Sequence, residues 1–131
     1  MIILGIDPGS RRIGYGLIQK NLNKLKFLSA GILKIKGRNS FEVFGEIKDQ
    51  MDFLIKKFRP KIMAVEKIYL VRNQKTAIET AEARGIIILS AIEHRVALKE
   101  YSPNEIKAGV TGYGLADKKA VAKMVAKILK T

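Results

Sequence analysis

The sequence predicts one α/β domain over residues 1–131, built on a mixed five-stranded sheet with helices on both faces. Three observations predict it. Three β-type segments follow one another before residue 37. After residue 40, segments of helical period alternate with short apolar runs. The first and fourth of the predicted strands each end on a carboxylate, Asp7 and Glu66.

The elements follow in order. IILGID (2–7) is an apolar run that closes on an acid, and a charge there is costly unless something pairs with it. RIGYGLIQK (12–20) alternates and runs into Asn21, and KLKFLSAGILKIK (24–36) resumes the alternation, so the three strands form an antiparallel meander. Residues 40–58 switch to helical spacing, with Phe44, Ile47, Met51, Leu54 and Phe58 on one stripe. Ser40 is the expected N-cap, Glu42 and Lys56–Lys57 suit the helix dipole, and Pro60 stops the helix. KIMAVE (61–66) is a buried strand and 67–73 a loop. A helix from 74 to 94 is apolar on more than one side around Ile86–Ile92, which predicts deep packing. Within it Arg84 needs a partner, and Gly85 marks close helix–sheet packing. His94, the only histidine, falls at the helix end and reads as structural. VALKEYS (96–102) is the fifth strand, Pro103 opens a short helix to Val110, TGYG (111–114) turns, and 117–130 is a last helix with Val121, Met124, Val125, Ile128 and Leu129 on one face. Three hairpin-linked strands followed by right-handed crossovers are the order of the ribonuclease-H-like fold, in which strands one and four lie parallel and adjacent.

The chain has 25 Lys and Arg against 12 Asp and Glu, a net charge of +13. Residues 1–40 hold eight basic side chains against one acid. Such an excess favours a polyanionic partner, nucleic acid first among them, although a lysine-rich solvated surface is the plainer alternative. There are no cysteines, which excludes disulfides and thiolate metal sites and suits a cytoplasmic protein. No run nears the ~18 apolar residues of a membrane span, and no secretion signal precedes the first strand.

Asp7 and Glu66 each have an ordinary explanation. Asp before Pro-Gly is a routine turn starter, and Glu66 beside Lys67 could be a surface ion pair. Together, at the ends of adjacent parallel strands ~4.8 Å apart, they would repel unless a cation lay between them. A hard divalent ion with oxygen ligands, magnesium above all, fits that position.

GIDPGSRRIGYGLI, AVEKIYLVRNQKTAIETAEARG and EYSPNEIKAGVTGYGLADKKAVAKMV resemble the RuvC family of Holliday-junction resolvases, in order, over nearly the whole chain. The resemblance implies a Mg²⁺-dependent endonuclease, with two ions per active site in the complete family member. It implies action as a homodimer on four-way DNA junctions, alongside a branch-migration motor complex. It makes Asp7 and Glu66 metal-binding, catalytic acids. Lys107 and Lys118 match lysines near the DNA and the scissile phosphate, hence both catalytic and DNA-binding. Tyr69 stands where a base-stacking phenylalanine is usual, with Arg72 and Asn73 beside it as further DNA contacts. Asp117 stands where glutamate is usual. The family carries a further acidic pair on a C-terminal helix, whereas nothing after Asp117 is acidic up to Thr131, so the distal ligands are missing from these residues. The leading function is therefore a junction-resolving nuclease. A junction-binding module without catalysis is the alternative. An actin-like phosphotransferase shares the glycine-rich opening but needs two such domains, for which 131 residues are too few.

Overall fold

A computed structural model describes residues 1–68 and 74–130. Its elements run β1 (Ile2–Asp7), β2 (Arg12–Asn21), β3 (Lys24–Lys34), α1 (Ser40–Phe58), β4 (Ile62–Glu66), α2 (Gln74–Glu93), β5 (Ala97–Tyr101), α3 (Pro103–Thr111) and α4 (Lys118–Leu129). The sheet order is β3-β2-β1-β4-β5. β1, β2 and β3 form the antiparallel meander, while β1–β4 and β4–β5 are parallel. This is the mixed sheet that the sequence predicts.

Alternation divides the sheet into two faces. Leu4, Ile6, Ile13, Leu17, Met63 and Val65 point to one side and are buried against Ile47, Met51 and Ile55 of α1 and Ala83, Ile87 and Ala91 of α2. Ile3, Gly5 and Ala64 point to the other side. There they floor a groove of about 930 Å³ that Ile106 and Val110 of α3 and Val125 of α4 also line.

Local chemistry explains most boundaries. α1 is capped by Asn39, whose side chain accepts the Glu42 N–H at 2.9 Å, and not by Ser40 as expected. Asn39 has the extended backbone that a cap requires, and Ser40 is already helical. Ser102 and Glu105 form a reciprocal capping box at α3, with Pro103 just inside it. Asp117, where the family's glutamate was expected, caps α4 through the Ala120 N–H at 2.8 Å. Gly9 is required in the turn after β1, because a Cβ there would sit 2.2 Å from the Arg12 carbonyl oxygen.

Two expectations for α2 are corrected. Its apolar run is not deeply packed all round: Ile78, Leu89 and Ile92 are exposed, and only one side is buried. Gly85 does not mark a close approach, since a Cβ there meets nothing within 4 Å. The apolar surplus on α2 faces outward. α4 is likewise amphipathic without a single buried residue.

Candidate metal and active site

The register of β1 on β4 pairs Gly5 with Ala64 and Ile6 with Val65. One residue further, Asp7 and Glu66 stand level at the carboxyl ends of the two central strands. Parallel register sends their side chains to the same face, and both line the rim of the groove as well as a neighbouring 260 Å³ cleft. Gly14, paired with Asp7 across β2, leaves the space beside this acid open.

The electrostatics follow from the placement. Glu66 is held up at about pKa 7, first by burial, then by its hydrogen bond with the Asp7 carboxyl and by that group's charge. The Lys107 ammonium, reaching in from α3, opposes the rise. With its carboxyl so raised, Glu66 holds its proton into the neutral range, beside Asp7. That is the expected state of a two-carboxylate site lacking its counter-charge, and an all-oxygen donor pair suits a hard divalent ion. Two carboxylates fit one such ion, with water completing its shell. Among the described residues no cluster of three or more His, Cys, Asp or Glu side chains could hold a metal.

The other sequence candidates divide. Lys107 joins the acids, half-buried on α3. Lys118 is exposed on the first turn of α4 and takes part in no salt bridge among the described residues. Tyr69, Arg72 and Asn73 lie outside the described residues. His94 lies elsewhere, with Nε2 3.0 Å from Asp52 Oδ1, in a cluster with Lys48 and Glu93 that ties α1 to the end of α2. It is structural, as its place at the helix end predicts.

The structure adds residues that sequence pattern did not single out for the site. Arg84 donates from Nε to the Glu66 carbonyl at 3.4 Å, and its guanidinium pairs with Glu100 on β5. It therefore ties the backbone at Glu66 to α2. Thr76 and Thr80, on the first turns of α2, line the cleft beside Asp7 and Glu66. Only the helical spacing of Thr76, Thr80 and Arg84, each four residues apart on one side of α2, could have flagged them.

A ribonuclease-H-like domain with a carboxylate pair at the ends of its two central parallel strands is the class that this fold and site define. Comparison with known proteins narrows it. The family model described as crossover junction endodeoxyribonuclease RuvC matches residues 3–131, and the chain belongs to that family. Proteins named crossover junction endodeoxyribonuclease RuvC are similar throughout. The one from Fusobacterium nucleatum is 38% identical over 130 residues, covering 98% of this chain and 68% of that protein. The one from Prochlorococcus marinus is 43% identical over 126 residues, covering 95% and 79%. Among solved structures, Thermus thermophilus RuvC in complex with a Holliday junction substrate superposes with a TM-score of 0.92 at 31% identity, covering all of this chain and 81% of that one. The yeast mitochondrial Holliday junction resolvase Ydc2 shares the fold at a TM-score of 0.67 and 14% identity, covering 97% and 64%.

Proposed function

We propose that this chain is a metal-dependent endonuclease that resolves four-way DNA junctions. The observation that carries the reading is the meeting of Asp7 and Glu66, distant in sequence, on one face at the ends of adjacent parallel strands, with Glu66 held near pKa 7 by its neighbour. The names of the relatives, and the junction substrate in the Thermus complex, supply the substrate class.

Asp7 and Glu66 would hold Mg²⁺ through carboxylate oxygens. Bound there, the ion supplies Lewis-acid polarisation of a phosphodiester and lowers the pKa of its water. The chain's own groups do the rest. Glu66 must lose its proton to become a ligand, so protons compete with the ion and loading weakens as pH falls below about 7. Lys107 helps that loss and leaves a positive charge facing an incoming phosphate. Lys118, exposed beside α3, can meet DNA only if the substrate reaches out to the first turn of α4. Tyr69, Arg72 and Asn73, on the segment after Glu66, are proposed to stack on a base and hold the backbone at the crossover. A second ion needs more carboxylates than Asp7 and Glu66.

The reading includes a homodimer. The outward stripe of α2, Ile78, Leu89 and Ile92 with bare Gly85 between them, recurs at heptad-like spacing and suits a second copy of the same helix across a two-fold axis. Cytoplasmic location and a branch-migration motor as further partner complete the proposal. A junction-binding module is the second reading, favoured by the presence of only two clustered carboxylates among the described residues.

Asp7→Asn tests the assignment. Cleavage of a synthetic four-way junction in Mg²⁺ should fall by at least 10³-fold, as when a metal ligand is lost, while junction binding holds or tightens because a negative charge near phosphate is gone. Loss of binding in step with cleavage would make Asp7 structural. Wild-type protein that shifts the junction but never cuts it would favour the module.

A further inference from the structure

The carboxylates occupy one edge of the sheet, and the opposite edge has a character of its own. There β1, β4 and β5 begin, and β2 turns into β3. Backbone hydrogen bonds knit it into one surface: Lys20 N–H donates to the Met1 carbonyl at 2.7 Å, Lys61 N–H to Ile2 at 3.0 Å, and Ala97 N–H to Lys61 at 3.1 Å. Three connections build it, KNLNK (20–24), KKFRPK (56–61) and HRV (94–96). Together they contain seven Lys and Arg and no Asp or Glu.

All seven are exposed, and none takes part in a salt bridge among the described residues. The nearest acids, Asp52 and Glu93, are engaged by Lys48 and His94. Moreover, the cations are distributed strand by strand. Lys24 heads β3, Lys20 is near the end of β2, Lys61 precedes β4 and Arg95 leads into β5. At the spacing of strands this is a row ~19 Å long with a positive side chain at four of its five strands.

Two of these residues occupy positions where glycine is the usual choice. Arg59 ends α1 with φ 48°, and Arg95 turns the chain into β5 with φ 57°. A side chain resists the left-handed region. An arginine kept there keeps a charge at the edge at a cost in backbone energy.

We propose that this edge is a second nucleic-acid surface, which holds the backbone of a duplex segment other than the one at the carboxylates. A row of exposed cations that take part in no salt bridge among the described residues suits a repeating phosphate backbone. The edge lies ~17 Å from Asp7 along β1, so one segment at the carboxylate cleft leaves it free. The inference shares with the proposed function only the premise that DNA is the partner, and it is independent of cleavage. The segment it takes is duplex of any sequence, because the row presents charges and no base-reading groups.

The test compares wild type with Lys20→Gln/Lys61→Gln/Arg95→Gln in buffer without divalent cations, so that cleavage and metal binding play no part. Circular dichroism melting establishes that the variant folds. Binding to a linear duplex is measured against salt, together with the ability of protein on a bead-tethered duplex to retain a second, labelled duplex. Neutralising three phosphate contacts should flatten the slope of log K on log salt by about 2–3 and reduce retention of the second duplex at least fivefold. Unchanged slope and retention would overturn the proposal. So would a variant that keeps duplex binding but loses capture of a polyglutamate peptide, since the edge would then serve an acidic protein.

Discussion

Replacing Glu66 by Gln isolates the raised proton of this acid. The side chain keeps its shape and loses its charge. In the wild type the carboxyl goes from an ordinary 4.5 in the unfolded chain to about 7 in the fold. Because the folded pKa is the higher, the folded chain retains a proton that the unfolded chain releases. The associated stability is fully present below pH 4.5 and is lost as pH rises to about 7. The whole interval corresponds to a ceiling of about 3 kcal/mol. Glu66 is only partly buried, so solvent screening reduces this to about 1–2 kcal/mol. Glu66→Gln should therefore flatten the stability profile between pH 4.5 and 7 and exceed wild type at pH 8 by about 1–2 kcal/mol, or roughly 3–6 °C in Tm for a domain of this size. Magnesium supplies the second arm. At ten times its Kd it should return about 1.4 kcal/mol to the wild type at pH 8, and this gain should shrink below pH 7 as protons compete. The variant, with one carboxylate, should gain little. Thermal melts across pH, with and without Mg²⁺, read all of this. A variant that keeps the wild-type slope, or gains as much from Mg²⁺, would refute this account of Glu66.

Two further outcomes follow from particular contacts. Lys107→Met removes the positive charge that opposes protonation of Glu66, so the pH at which Mg²⁺ begins to protect the fold should move upward, as read by the same melts. Leu89→Glu puts a charge in the exposed stripe of α2. It should leave the melting of the monomer within about 0.5 kcal/mol, as exposed positions do, while sedimentation analysis shows the dimer weakened at least tenfold.

Much of the architecture is legible from periodicity alone. The meander, the α1 stripe and the acids at two strand ends all depend on local pattern, and the parallel pairing of β1 with β4 follows from chain order. What escapes is set by geometry between distant residues. Asn39 and Ser40 are adjacent and both suit a cap, and only the backbone angles choose between them. The apolar run in α2 looks the same whether it faces a core or a partner, so the exposure of Leu89 and Ile92 was invisible. The partners of Arg84 depend on the register of β4 and β5 beneath α2, which no window along the chain contains. The cationic edge draws on three turns separated by dozens of residues. Of the site, Asp7 and Glu66 are legible as acids at two strand ends, Lys107 only through the family resemblance, and the cleft threonines through neither.

Arg84 has a mechanical consequence. It grips the last carbonyl of β4 from the same rigid rod whose exposed stripe carries Leu89 and Ile92. Whatever settles on that rod and rolls or slides it by a fraction of an ångström moves the guanidinium with it, and the strand tip bearing Glu66 is pulled along. In the proposed dimer, assembly and the aim of a carboxylate would share a single lever.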